Sequence, residues 1–327
     1  MKRRVAIGRK QTARLMPGAL FVVLAMLLGA CATPQSDRLL ATASDFPQPV
    51  ELTAVPFFPQ DEYQCGPASL AMLLNWSGEA IEPAALTPQV YLPERHGSLQ
   101  LEILAAARNH GRIPYVLRPE LESVFAELVA GHPVLVLQNL ALDWHPQWHY
   151  AVVIGFDLPR AEVVLRSGAE ARLAMPLRVF ERTWARADYW AVVVLPPEQL
   201  PATAEESRYL QSVAALERQQ RYEQAAAGYA ATLTRWPKSL GALIGLGNSR
   251  YALGEYAAAT DAFRLATRTH PDSGDAFNNL AHVLATEGKL DEAAQAADRA
   301  IAIGGRHLET YRRTAEEIRA RRENRDL

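Results

Sequence analysis

Cysteine is nearly absent. The 327 residues hold two, Cys31 and Cys65, too few for the disulfide framework that staples a small exported scaffold. An excess of either charge is also missing: 34 basic and 36 acidic residues leave a net charge of -2. With no basic stripe interleaved with aromatics, a nucleic-acid partner is excluded. A long apolar run occurs once, from Ala19 to Leu28, too short to be a convincing membrane span. No cluster of acidic or sulfur ligands accompanies the histidines, so neither a metal nor any other cofactor is expected. What is present is ordinary for a globular protein, with 49% hydrophobic and 21% charged residues, and the length suggests about two domains.

The N-terminus carries an address. Lys2, Arg3, Arg4, Arg9, Lys10 and Arg14 precede the apolar run, the order of a secretory signal. The run ends in Leu28-Gly29-Ala30-Cys31, which resembles a bacterial lipoprotein box, in which small residues precede a cysteine that becomes the acylated first residue. Residues 1–30 are therefore expected as a signal peptide and Cys31 as the lipidation site. Ala32 and Thr33, not an acidic residue, follow it. This resembles an outer-membrane address facing the periplasm of the bacterial cell envelope, with the membrane as a partner through the anchor. Residues 31–50, with Pro34, Ser36, Pro47 and Pro49, are expected to be a tether.

Residues 51–198 predict an α+β domain. Leu52 to Phe58 is expected as an entering strand. From Pro67 the pattern Ala68, Leu70, Ala71, Leu73, Leu74 predicts a helix buried on most sides, with Pro67 in its first turn. Cys65 then sits at the helix N-terminus, where the dipole and free amides favour a thiolate. A loop with Pro83, Pro88 and Pro93 follows, then a helix at Leu99 to Asn109, a strand at Ile113 to Leu117 and a helix at Leu121 to Ala130. Val134 to Asn139 predicts a strand buried on both faces. Trp144-His145-Pro146-Gln147-Trp148-His149 leads into the strand Ala151 to Asp157, which returns as a hairpin through Glu162 to Arg166, and Tyr189 to Leu195 closes the domain.

From Glu205 the texture turns alanine-rich and periodic. Ala225, Tyr229 and Pro237 recur 34 residues later as Ala259, Phe263 and Pro271, and a third copy places Ala293 and Ala297. Leu246-Gly247 and Gly254-Glu255-Tyr256 complete the second copy. This period and pattern carry the signature of tetratricopeptide repeats, about three over residues 206–322, forming an all-α domain that docks a peptide or protein partner on its concave face.

A cysteine nucleophile needs a base, a group that orients the base, and donors for the oxyanion. His149, at the start of a strong strand, is the best base. His145 competes, but Pro146 makes a ligand-bearing helix there unfavourable. The segments Gln60…Gln64-Cys65-Gly66-Pro67-Ala68-Ser69-Leu70-Ala71-Met72 and His149-Tyr150-Ala151-Val152-Val153-Ile154-Gly155 resemble the bacteriocin-processing, double-glycine-leader family of papain-like cysteine peptidases. That family is best known as the N-terminal domain of peptide-exporting ABC transporters. The resemblance implies Cys65 as nucleophile, His149 as general base, and Gln60 with the Cys65 amide as the oxyanion hole. Gln60 lies one residue nearer the cysteine than the family's glutamine, and Gln64 is too near to replace it.

The third member departs from the pattern. Where the family carries an Asp-Pro pair, this chain reads Leu165-Arg166-Ser167-Gly168, which leaves Ser167 or Glu170 to orient the imidazole. Asp157 lies about 26 Å along the strand from His149 at ~3.3 Å per residue. The expected function is an envelope-anchored cysteine peptidase, an amide hydrolase acting on a peptide or protein. The alternative is a non-catalytic peptide-binding scaffold, and acyl or glutaminyl transfer on the same pair is a third reading. Leu52 to Phe58 and Trp144 to Trp148 are expected to line the substrate groove or to be core and loop packing.

Overall fold

A computed structural model describes residues 33–41, 46–47, 49–60 and 63–325. The expected signal peptide and Cys31 lie outside these residues. In chain order the first domain contains α1 (Pro34–Ala41), β1 (Val50–Glu51), α2 (Cys65–Trp76), α3 (Pro83–Val90), β2 (Tyr91–Leu92), β3 (Gly97–Ser98), α4 (Gln100–Asn109), β4 (Ile113–Val116) and α5 (Leu121–Val129). It continues with β5 (Val134–Asn139), β6 (Trp148–Asp157), β7 (Glu162–Ser167), β8 (Glu170–Pro176), α6 (Leu177–Ala185) and β9 (Ala191–Leu195).

The main sheet is antiparallel throughout, in the order β4-β9-β5-β6-β7-β8, with β1 added to β6. All six residues of β5 are buried. Alternation sends Val134 and Val136 to one face and Leu135 and Leu137 to the other. On the first face α5 and α6 pack their stripes, Val124, Phe125 and Leu128 with Leu177, Phe180 and Trp184. Phe125 stacks on Phe156 of β6 at 4.2 Å. On the second face α2 buries every residue from Gly66 to Leu74 and is flanked by α3 and α4.

The structure corrects several local expectations. Part of the segment expected as a tether is built into the domain. α1 buries Leu39 in the first core, and the buried Glu181 carboxylate accepts from the Gln35 and Ser36 amides at 3.0 and 2.6 Å. Free amides at a helix N-terminus attract a carboxylate, and that contact outweighs the proline-rich composition. The expected strand Leu52 to Phe58 is instead irregular chain after a two-residue strand, because Pro56 and Pro59 offer no ladder donor. The proline-bearing loop contains α3, which Pro83 starts from a first-turn position. β8 and α6 fill a stretch to which no element was assigned.

The second region is helical: α7 (Glu206–Arg218), α8 (Tyr222–Arg235), α9 (Leu240–Ala252), α10 (Tyr256–Thr269), α11 (Gly274–Thr286), α12 (Leu290–Ile303) and α13 (Leu308–Arg325). Three antiparallel pairs are followed by a closing helix. The first pair joins the core of the first domain, with Tyr209, Val213, Leu216 and Tyr229 packing in the same cluster as Ile113 and Tyr115 of edge strand β4. Within the second pair the two helices meet closely. A Cβ on Gly247 would lie 2.3 Å from the Phe263 ring. Gly247→Ala is therefore expected to destabilise the repeats by about 1–3 kcal/mol from overpacking, although alanine gains ~1 kcal/mol in helix propensity. Thermal unfolding followed by circular dichroism checks the sign.

Candidate active site

The strand-to-helix crossing creates the site. β6 begins with Trp148, His149 and Tyr150, and α2 begins with Cys65 at the face of that strand. The backbone of Tyr150 approaches the Cys65 sulfur, as do the backbone groups of Gly66 and of Cys65 itself, each favouring the charged form of the thiol. The thiol thus rests against the residue next to His149. Cys65, His149, Gln60, Tyr150 and Gly168 line one cleft of about 1140 Å³. Gly66 permits the close approach of a second wall: a Cβ there would stand 2.3 Å from Ser98 Oγ of the β2–β3 hairpin.

His149 Nε2 lies 2.8 Å from Ser167 Oγ. The hairpin that returns β7 beside β6, with Val152 opposite Arg166, brings Ser167 to the ring. Of the two residues left open by the sequence, Ser167 is at hydrogen-bonding distance, and Glu170 is exposed at the start of β8. Asp157 sits at the far end of β6, where its carboxylate accepts from the Arg160 amide. Among the described residues no carboxylate pairs with the His149 ring, and no group is arranged to hold a metal.

The Gln60 carboxamide is fixed in orientation. Its Oε1 accepts from the Gly168 amide at 2.8 Å, which settles which end is oxygen. Its Nε2 donates to Ser69 Oγ at 2.9 Å and to the Tyr150 carbonyl at 3.3 Å. Gln64 is engaged elsewhere, accepting from Thr87 Oγ1. Ser69, the Gly168 amide and the Ser98 wall were missed from the sequence. Ser69 follows Cys65 by four residues, one helical turn, so its place beside Gln60 had a readable signal.

Burial sets the protonation balance. Desolvation pushes the Cys65 thiol above its ordinary range despite the three backbone groups that act the other way. Desolvation also lowers His149 below the usual imidazole range. Both shifts favour the uncharged forms, a thiol and a neutral imidazole, against the thiolate expected from the helix terminus. Trp148 lines the cleft, but Leu52 to Phe58 does not, since Phe57 and Phe58 pack against the second core.

These features define a cysteine-peptidase-like domain joined to a repeat array. Residues 52–192 match the Peptidase_C39 like family, and residues 209–273 and 244–306 match the Tetratricopeptide repeat family. The chain is accordingly an α+β C39-like peptidase domain followed by a helical tetratricopeptide-repeat region of seven helices. Among solved structures, a C39-like peptidase from Bacillus anthracis is similar at 18% identity, covering 46% of this chain and 98% of that one, with a TM-score of 0.39. The Sgt2 repeat domain from Aspergillus fumigatus is similar at 20% identity, covering 38% and 83%, with a TM-score of 0.36. The secretion chaperone SycD of Yersinia enterocolitica, in complex with a peptide of YopD, is similar at 18% identity, covering 36% and 93%, with a TM-score of 0.33. No curated protein matches the chain.

Proposed function

We propose that the first domain is a cysteine peptidase held at the cell envelope by a lipid on Cys31, with the repeats docking a protein partner or the substrate. The observation that carries the reading is the contact set at the start of β6. Cys65 meets the backbone of Tyr150, and the neighbouring His149 has Nε2 engaged by Ser167. With Nε2–H donated to the serine hydroxyl, Nδ1 is left as the basic nitrogen.

His149 Nδ1 takes the thiol proton as the Cys65 sulfur attacks the substrate carbonyl carbon. The oxyanion is received by the Cys65 amide and by Gln60 Nε2, which gives up its longer contact to the Tyr150 carbonyl while Gly168 and Ser69 keep the carboxamide in place. The imidazolium returns its proton to the leaving amine nitrogen as the C–N bond breaks. Water, deprotonated by His149, then attacks the thioester carbonyl; the C–S bond breaks, the acid leaves, and the imidazolium proton restores the Cys65 thiol. Ser167 orients the ring and carries no anion, so it stabilises the imidazolium less than an aspartate would.

The test is turnover of a peptide library by the wild-type protein and by Cys65→Ala, with products identified by mass. Cleavage by the first and none by the second supports the reading. A second reading, a non-catalytic peptide-binding scaffold, draws on the hydroxyl that stands in place of a carboxylate. Binding of library peptides without cleavage by either protein would decide for it.

A further inference from the structure

The end of the sheet that carries the cleft also carries the N-terminal helix. β5 finishes there at Asn139, β6 starts at Trp148, β7 finishes at Ser167, and β9 starts at Ala191. β4, antiparallel to β9, runs out at the same end. The first turn of α1 is pinned there. The Gln35 side chain donates to the Pro119 carbonyl, in the β4–α5 connection, and accepts from the amide of Leu121, the first residue of α5. It also lies near Tyr189, next to Asp188 of the cleft wall. With Glu181 holding the Gln35 and Ser36 amides and Arg178 paired to Asp37, the position of Thr33 is set by the fold.

The same end projects an apolar hairpin between β5 and β6. It is ordered by its own hydrogen bonds. Asn139 Oδ1 accepts from the Ala141 and Gln147 amides, Leu140 donates to Gln147, and His145 donates to the Leu142 carbonyl. Arg186 clamps its base through the Asn139 carbonyl. Yet its tip holds Trp144 82% exposed and Leu142 53% exposed, with Trp148 54% exposed at its root. An ordered loop that presents tryptophan and leucine to water marks an interaction surface, and tryptophan favours the bilayer interface.

We propose that this end of the domain faces the bilayer. The hairpin seats Trp144 and Leu142 in the interfacial layer, and the cleft opens toward the headgroups to take polypeptide lying along the membrane. The inference rests on the reading of Cys31 as acylated. What selects the bilayer as the occupant is reach. One residue, Ala32, separates Cys31 from Thr33, so their Cα atoms stand at most about 7 Å apart. An anchor that short keeps the pinned end of the sheet, hairpin included, at the headgroup layer.

The test uses the full chain, processed and acylated in a bacterial host, in a Cys65→Ser background. Leu142→Cys or Arg160→Cys is labelled with nitrobenzoxadiazole and reconstituted in phosphatidylethanolamine–phosphatidylglycerol vesicles containing nitroxide lipids. Arg160, in the β6–β7 turn at the opposite end, is the control. Quenching at position 142 at least threefold greater than at position 160 is expected. Equal, weak quenching in a protein whose mass includes acyl chains on Cys31 overturns the orientation alone and assigns the hairpin to a protein partner. A mass without acyl chains overturns the orientation and the anchor together.

Discussion

His149→Ala is expected to lower kcat/KM for peptide cleavage about 10²–10⁴-fold, the contribution of a positioned general base, while the unfolding temperature moves by only a few degrees. Ser167→Ala removes one hydrogen bond to the ring, worth ~1 kcal/mol, and should cost about fivefold by the usual conversion. In the His149→Ala background the same serine change should have no further effect, because its influence passes through the imidazole. A purely structural role for Ser167 would instead persist in the double variant.

The pH dependence follows from the same geometry. The proposed mechanism requires His149 neutral, and burial lowers its pKa, so the acid limb of kcat/KM should fall below the ~6.5 of free histidine. The alkaline limb should lie above the ~8.5 of a free thiol, because burial raises Cys65. Ser167→Asp places an anion beside the ring and should move the acid limb upward. An acid limb that stays put in Ser167→Asp would show that position 167 does not govern the imidazole.

The second large effect concerns Glu127, fully buried between the two regions. Its carboxylate accepts from His132 Nδ1 at 2.7 Å, from the Ala202 and Thr203 amides at 3.1 and 2.8 Å, and from Thr203 Oγ1 at 2.6 Å. Glu127→Ala leaves those donors buried without an acceptor and is expected to cost about 3–5 kcal/mol. The loss should appear as a lower unfolding midpoint in denaturant. Burial alone would raise the Glu127 pKa, but the bonds from His132, Thr203 and Ala202 together outweigh it, and the pKa falls below the ordinary value. Its stabilisation is thus fully present above the unfolded-state pKa of ~4.3 and is lost as pH falls through the lower folded value. Denaturant midpoints between pH 6 and pH 3 should converge for wild type and Glu127→Gln.

Much of the fold was legible where residue identity and period agree. The 34-residue recurrence of Ala225, Tyr229 and Pro237 located the helix pairs, since each repeat must present the same small and aromatic residues to its neighbour. Val134 to Asn139 read as a doubly buried strand because both faces are apolar. Leu177, Phe180 and Trp184 carried a helical stripe of the same kind, yet the intervening arginines hid it. The prolines around Leu52 and Pro83 misled in opposite directions, because proline's effect depends on whether its missing donor had a partner.

By itself the sequence determined the α+β and helical regions, and it offered Cys65, His149, Gln60 and either Ser167 or Glu170 as site candidates. These rest on residue type, local spacing and family resemblance, which a linear chain displays. Tertiary structure decided that Ser167 rather than Glu170 meets the imidazole and that burial opposes a charge on the thiol. It also decided that the helix Pro34–Ala41 packs on the face of the sheet opposite the cleft, at the same end. Each of those outcomes depends on burial and on contacts between residues far apart in the chain, and neither exists until the sheet has closed.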